Sequence, residues 1–253
     1  MDAPADLVGR THRALRAVAA YEPGGATTTA VAREAGLPRP TVHRLLMSLQ
    51  GVGLVERDAD RWVLGPELYF LGVAAARRYD VTEAAMPVVR RLALATGESA
   101  FFSARRGEET ICLIREDGAF PIRSHVLFEG ARFPLGVVSA GMVVLAHLPD
   151  REIDEYLDRV DLVAQFGAQH AVGEIRRHIG LTRQRGYSVN PGLVVEGSWG
   201  LAAAVFDQGG SPRWALTLTG VEHRFGADRV PQLGALLLRE AHALSETLAR
   251  SRS

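Results

Sequence analysis

Apolar residues recur at helical spacing in the first fifty residues. Segments 10–22 and 29–35 each place apolar positions on one helical face, with Thr29 as the expected N-cap of the second. Gly36 predicts the end of that helix, and Leu37-Pro38 form the turn. A third helix, with Pro40 tolerated in its first turn, has an apolar stripe at Val42, Leu45, Leu46 and Leu49. Two helices joined by a tight turn are typical of a helix-turn-helix.

The residues that follow predict a β-hairpin and then another helix. Leu54–Arg57 and Arg61–Leu64 have the composition of short strands, separated by Asp58-Ala59-Asp60. A hairpin directly after a helix-turn-helix is a wing. Gly65-Pro66 closes this unit, and 67–79 resumes a helical pattern that we interpret as a connecting helix.

The rest of the chain alternates between helical and strand-like patterns, which predicts an α+β domain. We expect a mixed, largely antiparallel sheet flanked by helices, large enough for its own core and a pocket. Helices are predicted at 82–96, 139–148, 151–159, 172–185 and 227–250, and strands at 99–105, 110–116, 121–127, 187–190, 199–206 and 213–219. Phe101, Phe102 and Phe128 are expected in its core.

Composition narrows the class of protein. The 253 residues carry zero net charge, so the chain lacks the overall basic charge of a protein that coats nucleic acid. All 29 basic residues are Arg, so contacts to phosphate or bases must come from Arg, His, polar groups or backbone. Cys112, the single cysteine, excludes an internal disulfide and is expected in the core. We expect a cytoplasmic protein with no membrane segment and no signal peptide.

The exposed face of the third helix and the hairpin supply candidate DNA contacts. Arginine can donate two hydrogen bonds to guanine, and threonine can meet a base edge or a thymine methyl. Polar residues on a helix also form an ordinary solvent-exposed face, and the pattern alone leaves that alternative open. The candidate DNA-binding residues are Thr29, Arg39, Pro40, Thr41, His43, Arg44, Arg57 and Arg61.

These segments together resemble the IclR family of bacterial transcriptional regulators. RALRAVAAYE and TAVAREAGLPRPTVHRLLMSLQGVGLVERDADRWVLGP resemble its winged helix-turn-helix. LALATGESAFFSARRGEETICLI, GARFPLGVVSAGMVVLAHL and RQRGYSVNPGLVVEGSWGLAAAVFDQGG resemble successive parts of its second domain. The resemblance implies a DNA-binding domain at 1–65, a linker helix at 66–79 and a GAF-like effector-binding domain at 80–253. It also implies homodimers or tetramers on palindromic double-stranded DNA operators, and small organic or aromatic acid effectors from catabolic pathways.

The same resemblance implies an effector site in the second domain. Matching positions put Ala140, Gly141, Asn190, Gly200, Thr217 and Thr219 around the ligand. Small residues at Ser139-Ala140-Gly141 open a helix whose free N–H groups favour a carboxylate. Without the resemblance, tight packing and ordinary strand threonines would be the favoured explanation of these residues.

Three further residues are candidates on their chemistry. Trp199 can stack on a flat ligand, although a strand tryptophan more often belongs to the core. Arg123 and His125 share one face of a predicted strand and would add positive charge for an acid, unless that face is simply solvated.

The chain also departs from the family pattern. Gly136 stands where His is frequent, Met142 where Lys is frequent, and Gly200 where Cys or Ser is common. Asn190-Pro191-Gly192-Leu193 replaces acidic residues. We therefore expect a pocket whose chemistry differs from that of its relatives.

Motifs for catalysis are lacking. Ser139 and Ser198 are not in a Gly-x-Ser-x-Gly turn, the histidines lack metal-ligand spacing, and no phosphate-binding glycine loop is found. The sequence predicts no catalytic residue, metal or cofactor. A GAF-like protein with hydrolytic activity is the alternative left open.

Overall fold

A computed structural model of the chain describes residues 6–76, 81–121 and 126–250, with side chains described outside 75–76. The chain divides into two compact units, Met1–Asp80 and Val81–Ser253. Among the described helices, none is both long and apolar enough to cross a membrane.

The first unit contains the predicted helix-turn-helix and wing. Its elements in chain order are α1 Leu7–Ala19, α2 Thr28–Ala35, α3 Arg39–Gly51, β1 Val55–Asp58, β2 Arg61–Leu64 and α4 Pro66–Ala76. Helix α1 begins three residues before the predicted segment, because the side chain of Asp6 caps it by accepting from the Gly9 N–H at 2.7 Å. The two wing strands pair antiparallel from Val55↔Leu64 to Asp58↔Arg61.

Trp62 of the wing joins the core of this unit. Its side chain is fully buried with Val18, Val31 and Leu46. Its indole Nε1–H donates to the Thr28 hydroxyl at 2.9 Å, and its backbone pairs with Ala26. The hairpin is therefore anchored to the start of α2 by both packing and hydrogen bonds.

The second unit is an α+β fold. Its helices are α5 Val81–Thr96, α6 Ser139–Ala146, α7 Asp150–Leu157, α8 Val163–Phe166, α9 Val172–Arg185 and α10 Arg229–Arg250, with 3-10 turns at Ala168–His170 and Glu222–Arg224. Its strands are β3 Ser99–Arg106, β4 Glu109–Glu116, β5 Arg132–Pro134, β6 Tyr187–Pro191, β7 Ser198–Phe206 and β8 Pro212–Val221. Within the described residues the strands form one sheet of order β5-β4-β3-β8-β7-β6, with every neighbouring pair antiparallel.

Helices cover both faces of this sheet. Helices α5 and α10 pack on one face against side chains that include Phe102, Leu216 and Leu218. Helices α6, α7 and α9 pack on the other, where Ala202, Ala204 and Ala215 leave room for a close approach. Alternation along β7 and β8 explains the two sets, since successive side chains point to opposite faces.

Of two expectations for the region between β4 and α6, the one for Phe128 was wrong and the other falls mostly outside the described residues. Within the predicted strand 121–127, residues 122–125 lie outside the described residues, and 121 and 126–127 are not strand. On its edge away from β3, strand β4 pairs with β5, in register Thr110↔Phe133. Phe128 is 50% exposed rather than in the core, because it starts a turn in which the Ala131 N–H donates to its carbonyl at 2.9 Å. Phe101 and Phe102 are fully buried, and Cys112 is buried, as predicted.

Candidate DNA-reading helix and effector cavity

Helix α3 presents a polar face to solvent. Val42, Leu46 and Leu49 are buried, whereas Arg39, His43 and Arg44 are exposed. The helix begins at Arg39 with Pro40 in its first turn, as predicted, and its N-terminus has no side-chain cap. The first turn thus combines the Arg39 side chain with a helix start that no side chain caps.

The basic side chains on the exposed face of α3 have no partner in the described part of the chain. Within the described residues, Arg39, His43 and Arg44 make no hydrogen bond or ion pair, whereas Arg33 on α2 lies 3.4 Å from the Tyr21 hydroxyl and hydrogen-bonds to it. An exposed, unpaired guanidinium retains all its donors for an external acceptor. The geometry therefore suits an anionic surface with hydrogen-bond acceptors.

The start of α2 differs slightly from the sequence prediction. Thr27, not Thr29, caps α2, because its hydroxyl accepts from the Ala30 N–H at 3.2 Å. Thr29 lies inside the first turn and is exposed. Gly36 ends the helix in the left-handed conformation at φ 61°, as predicted, and that conformation favours glycine. Three consecutive threonines made the cap ambiguous in the sequence.

The two wing arginines, Arg57 and Arg61, each make a contact within the first unit. Arg57 stacks its guanidinium 5.3 Å from the centre of the Trp62 ring. Arg61 donates from Nη1 to the Gly25 carbonyl at 3.1 Å. Both residues remain exposed, so their free donors face solvent beside the hairpin turn.

In the second unit, a small cavity of about 20 Å³ lies where α6 begins. Five predicted residues help line it: Ser139, Asn190, Trp199, Gly200 and Thr219. Sequence reasoning missed the other lining residues, which are Val126, Leu127, Val138, Val194 and Ser198. Two of them, Val138 and Ser198, directly precede predicted residues, and that adjacency was the only available signal.

Two buried threonine hydroxyls on β8, one of which lines this cavity, have no protein partner among the described residues. Thr217 and Thr219 are buried on the same face of β8, and neither Oγ1 has a hydrogen-bond partner among the described residues. Ser139 opens α6, and no side chain caps that helix. Because a buried hydroxyl without a partner costs free energy, these groups are suited to receive a polar ligand.

Other predicted residues have packing roles in this structure. The Asn190 amide donates to the Val137 carbonyl at 3.0 Å and accepts from the Leu193 N–H at 2.9 Å. A Cβ on Gly200 would lie 3.0 Å from the Ser139 hydroxyl, and one on Gly141 would lie 3.1 Å from the Pro134 carbonyl. Ala140 is fully buried.

Two groups of predicted residues are not brought to the cavity. Ala140, Gly141 and Thr217 are not part of its lining as far as the structure describes it. Arg123 and His125 lie outside the described residues.

Trp199 is half-buried, and its ring centre lies 6.5 Å from that of Phe225. In the described part of the chain no cluster of three or more potential metal ligands occurs.

Comparisons with known proteins match both units. The IclR helix-turn-helix domain model matches residues 7–59, and the model of the bacterial transcriptional regulator IclR C-terminal domain matches residues 73–246. The transcriptional repressor IclR of Escherichia coli K12 is 27% identical over 223 residues, covering 86% of this chain and 81% of that protein.

Solved structures agree in fold. The crystal structure of an IclR-type regulator from Alicyclobacillus acidocaldarius has a TM-score of 0.78 at 23% identity, covering 95% of this chain and 98% of that one. An IclR homologue from Microbacterium hydrocarbonoxydans, complexed with 4-hydroxybenzoate, has a TM-score of 0.76 at 23% identity, covering 96% and 99%. With the winged helix-turn-helix and an α+β second unit in place, the chain belongs to the IclR family of DNA-binding transcriptional regulators, which are not enzymes.

Proposed function

We propose that this protein binds a palindromic DNA operator as a homodimer, or as a tetramer built from dimers, and that a small organic acid controls this binding. The observation that carries the proposal is the exposed face of α3, where Arg39 and Arg44 have no partner in the described part of the chain. In a winged helix-turn-helix this face enters the major groove. Thr29, Thr41, His43, Arg57 and Arg61 would add contacts to phosphate or bases.

The second copy is needed for affinity and for covering apolar surface. A single DNA-binding domain offers few positive charges to DNA, because the chain contains no Lys and has zero net charge. Helix α4 exposes Tyr69, Phe70, Leu71 and Val73, each by more than half. Burying such a run against a second copy is favourable at about 25 cal/mol per Å² of apolar surface.

We propose the domain boundaries that the sequence predicts. Residues 1–65 would form the DNA-binding domain, 66–79 a linker helix and 80–253 the effector-binding domain. Helix α4 at Pro66–Ala76 is then the linker. An effector would act by changing the half-site spacing that the dimer can span, which must match the helical repeat of DNA.

The effector is proposed to be a small organic or aromatic acid of a catabolic pathway. Supporting groups are the unpartnered hydroxyls of Thr217 and Thr219 and the uncapped N-terminus of α6 at Ser139. A carboxylate accepts from hydroxyls and from helix N–H groups. The bound 4-hydroxybenzoate of the Microbacterium homologue is an acid of this kind. Arg123 and His125 remain candidates for further positive charge.

Footprinting with and without acids tests the proposal. The full-length protein should protect two half-sites about one helical turn apart upstream of its own gene or a neighbouring catabolic operon. A panel of organic acids that includes 4-hydroxybenzoate should contain at least one compound that changes the protection. A single protected half-site would contradict the dimer, and a panel with no effect would contradict the acid effector.

A further inference from the structure

A second and larger concavity lies in the effector-binding unit. It has a volume of about 520 Å³ and lies between α9, the edge strand β6 and the start of α10. We refer to it as the α9–α10 cleft; its walls include Leu181, Val189, Trp199, Phe225 and Val230. This volume falls within the range of small-molecule sites and is larger than the roughly 20 Å³ of the effector cavity.

The described lining of the cleft carries basic side chains and no acidic ones. Arg177, His178 and Arg185 line it, and no carboxylate does so in the described part of the chain. They lie on α9 at i, i+1 and i+8, and at 3.6 residues per turn these positions fall within an arc of about 100° on the helix surface. Arg177 is neutralised by Glu174 at 2.8 Å. Arg185 has no ion pair or hydrogen bond among the described residues and is exposed, which leaves one uncompensated guanidinium at the cleft.

Next to these arginines, His178 is held neutral with a defined proton position. Arg177 Nη2 lies 2.8 Å from His178 Nε2, and because a guanidinium only donates, Nε2 must accept. Burial and the neighbouring Arg177 also lower the pKa of His178. The ring proton therefore resides on Nδ1, which has no protein partner among the described residues and is a second donor beside Arg185.

The opposite wall is apolar and partly aromatic. Trp199 and Phe225 lie with ring centres 6.5 Å apart, and Val230 and Pro231 at the start of α10 extend this wall. A site with a flat apolar wall and one free cation is complementary to a molecule with an apolar body and a single anionic group.

We propose that the α9–α10 cleft is a second ligand site, distinct from the effector cavity, that binds an amphipathic carboxylate. The carboxylate would accept from the Arg185 guanidinium and from His178 Nδ1–H, and the apolar ring or chain would lie against Trp199 and Phe225. Trp199 also lines the effector cavity. One side chain is thus shared by both sites, so occupancy of the cleft changes the affinity of the cavity, and the reverse holds by linkage.

Calorimetry on the full-length protein with 2-naphthoate as probe tests the site. 2-Naphthylmethanol supplies the same ring without the charge. Arg185→Gln should weaken 2-naphthoate binding about fivefold and leave 2-naphthylmethanol unchanged, because only the carboxylate uses the guanidinium. Arg239→Gln is the matched control, since Arg239 is an exposed arginine on α10 that lines neither site.

Two further variants separate the cleft from the effector cavity and from a general loss of charge. Ala227→Trp fills the cleft from its rim without altering charge, and it should reduce binding of both probes. Thr219→Val changes the effector cavity and should leave 2-naphthoate binding intact. Loss of 2-naphthoate binding in Thr219→Val, an equal effect of Arg239→Gln, or no binding by the wild type would each overturn the second site. None of these outcomes concerns operator binding by the ligand-free protein, so they leave the proposed regulator function untouched.

Discussion

Replacing Thr219 by valine should make the protein no less stable and yet less responsive to its effector. Thr219 is 6% exposed, and its hydroxyl has no protein partner in the described structure. A buried hydroxyl without a partner costs about 1–3 kcal/mol, and valine has nearly the same shape. The free energy of unfolding should therefore stay unchanged or rise by up to about 1 kcal/mol.

Thr96→Val is the control with the opposite expectation. The Thr96 hydroxyl donates to the Leu92 carbonyl at 2.7 Å and accepts from the Glu98 N–H at 3.1 Å. Losing both hydrogen bonds should lower the free energy of unfolding by about 1–2 kcal/mol. For a protein of this size, 1 kcal/mol moves Tm by about 2–4 °C. Thermal unfolding of the full-length variants should separate the two clearly.

The Thr219→Val variant should also respond less strongly to its effector. If Thr219 donates to the carboxylate of the effector, its loss should weaken the most active acid of a panel by about 2- to 10-fold. The measurement is the concentration of that acid that half-maximally changes DNA binding. A Thr219→Val protein that is destabilised as much as Thr96→Val would refute the reasoning, because it would show that the hydroxyl already has a partner. An unchanged acid response would remove Thr219 from the effector site.

Three further results are expected. Ala59 has φ 52° in the wing turn, so Ala59→Gly should raise stability by about 0.5–1 kcal/mol in thermal unfolding; a loss would show that the left-handed conformation is not strained. Glu98 is buried and paired with Arg224 at 2.5 Å and Arg229 at 2.8 Å, so Glu98→Ala should cost about 2–3 kcal/mol by the same assay, and a change below 0.5 kcal/mol would contradict this reading. Burial raises the pKa of the Cys112 thiol to about 12, so iodoacetamide should not label the folded protein at about pH 8 but should label it in urea; rapid labelling of the folded state would disprove the burial.

The reading helix was predictable because its signals are local. An apolar stripe at Val42, Leu46 and Leu49 and a left-handed glycine at position 36 determine α3 and its turn from adjacent residues. Where several local solutions compete, the sequence pattern fails. Thr27, Thr28 and Thr29 are equal candidates as caps in the sequence, whereas in the structure Thr27 caps the helix and the Thr28 hydroxyl accepts from the Trp62 indole.

In the second unit, the sequence predicted the long helices and strands better than the ligand sites. Strand β5 and the exposed Phe128 depend on how a turn at 128–131 meets β4, and this is a long-range pairing. The α9–α10 cleft gave no sequence signal, because α9 and β6 meet there with Trp199 of β7 and the start of α10, which lie farther along the chain. Asn190 matched a ligand position by type, but its amide is engaged by Val137 and Leu193.

Binding of the full-length protein to a duplex from its own upstream region, measured by fluorescence anisotropy, tests the central claim that α3 reads DNA. The double variant Arg39→Gln/Arg44→Gln removes both unpaired guanidinium groups from the exposed face of α3. We predict that it weakens specific binding at least fivefold, since one base-contacting arginine is worth about 1–3 kcal/mol, while Arg239→Gln has no effect. Equal affinity of the double variant and the wild type, or equal affinity of the wild type for a scrambled duplex, would contradict the account.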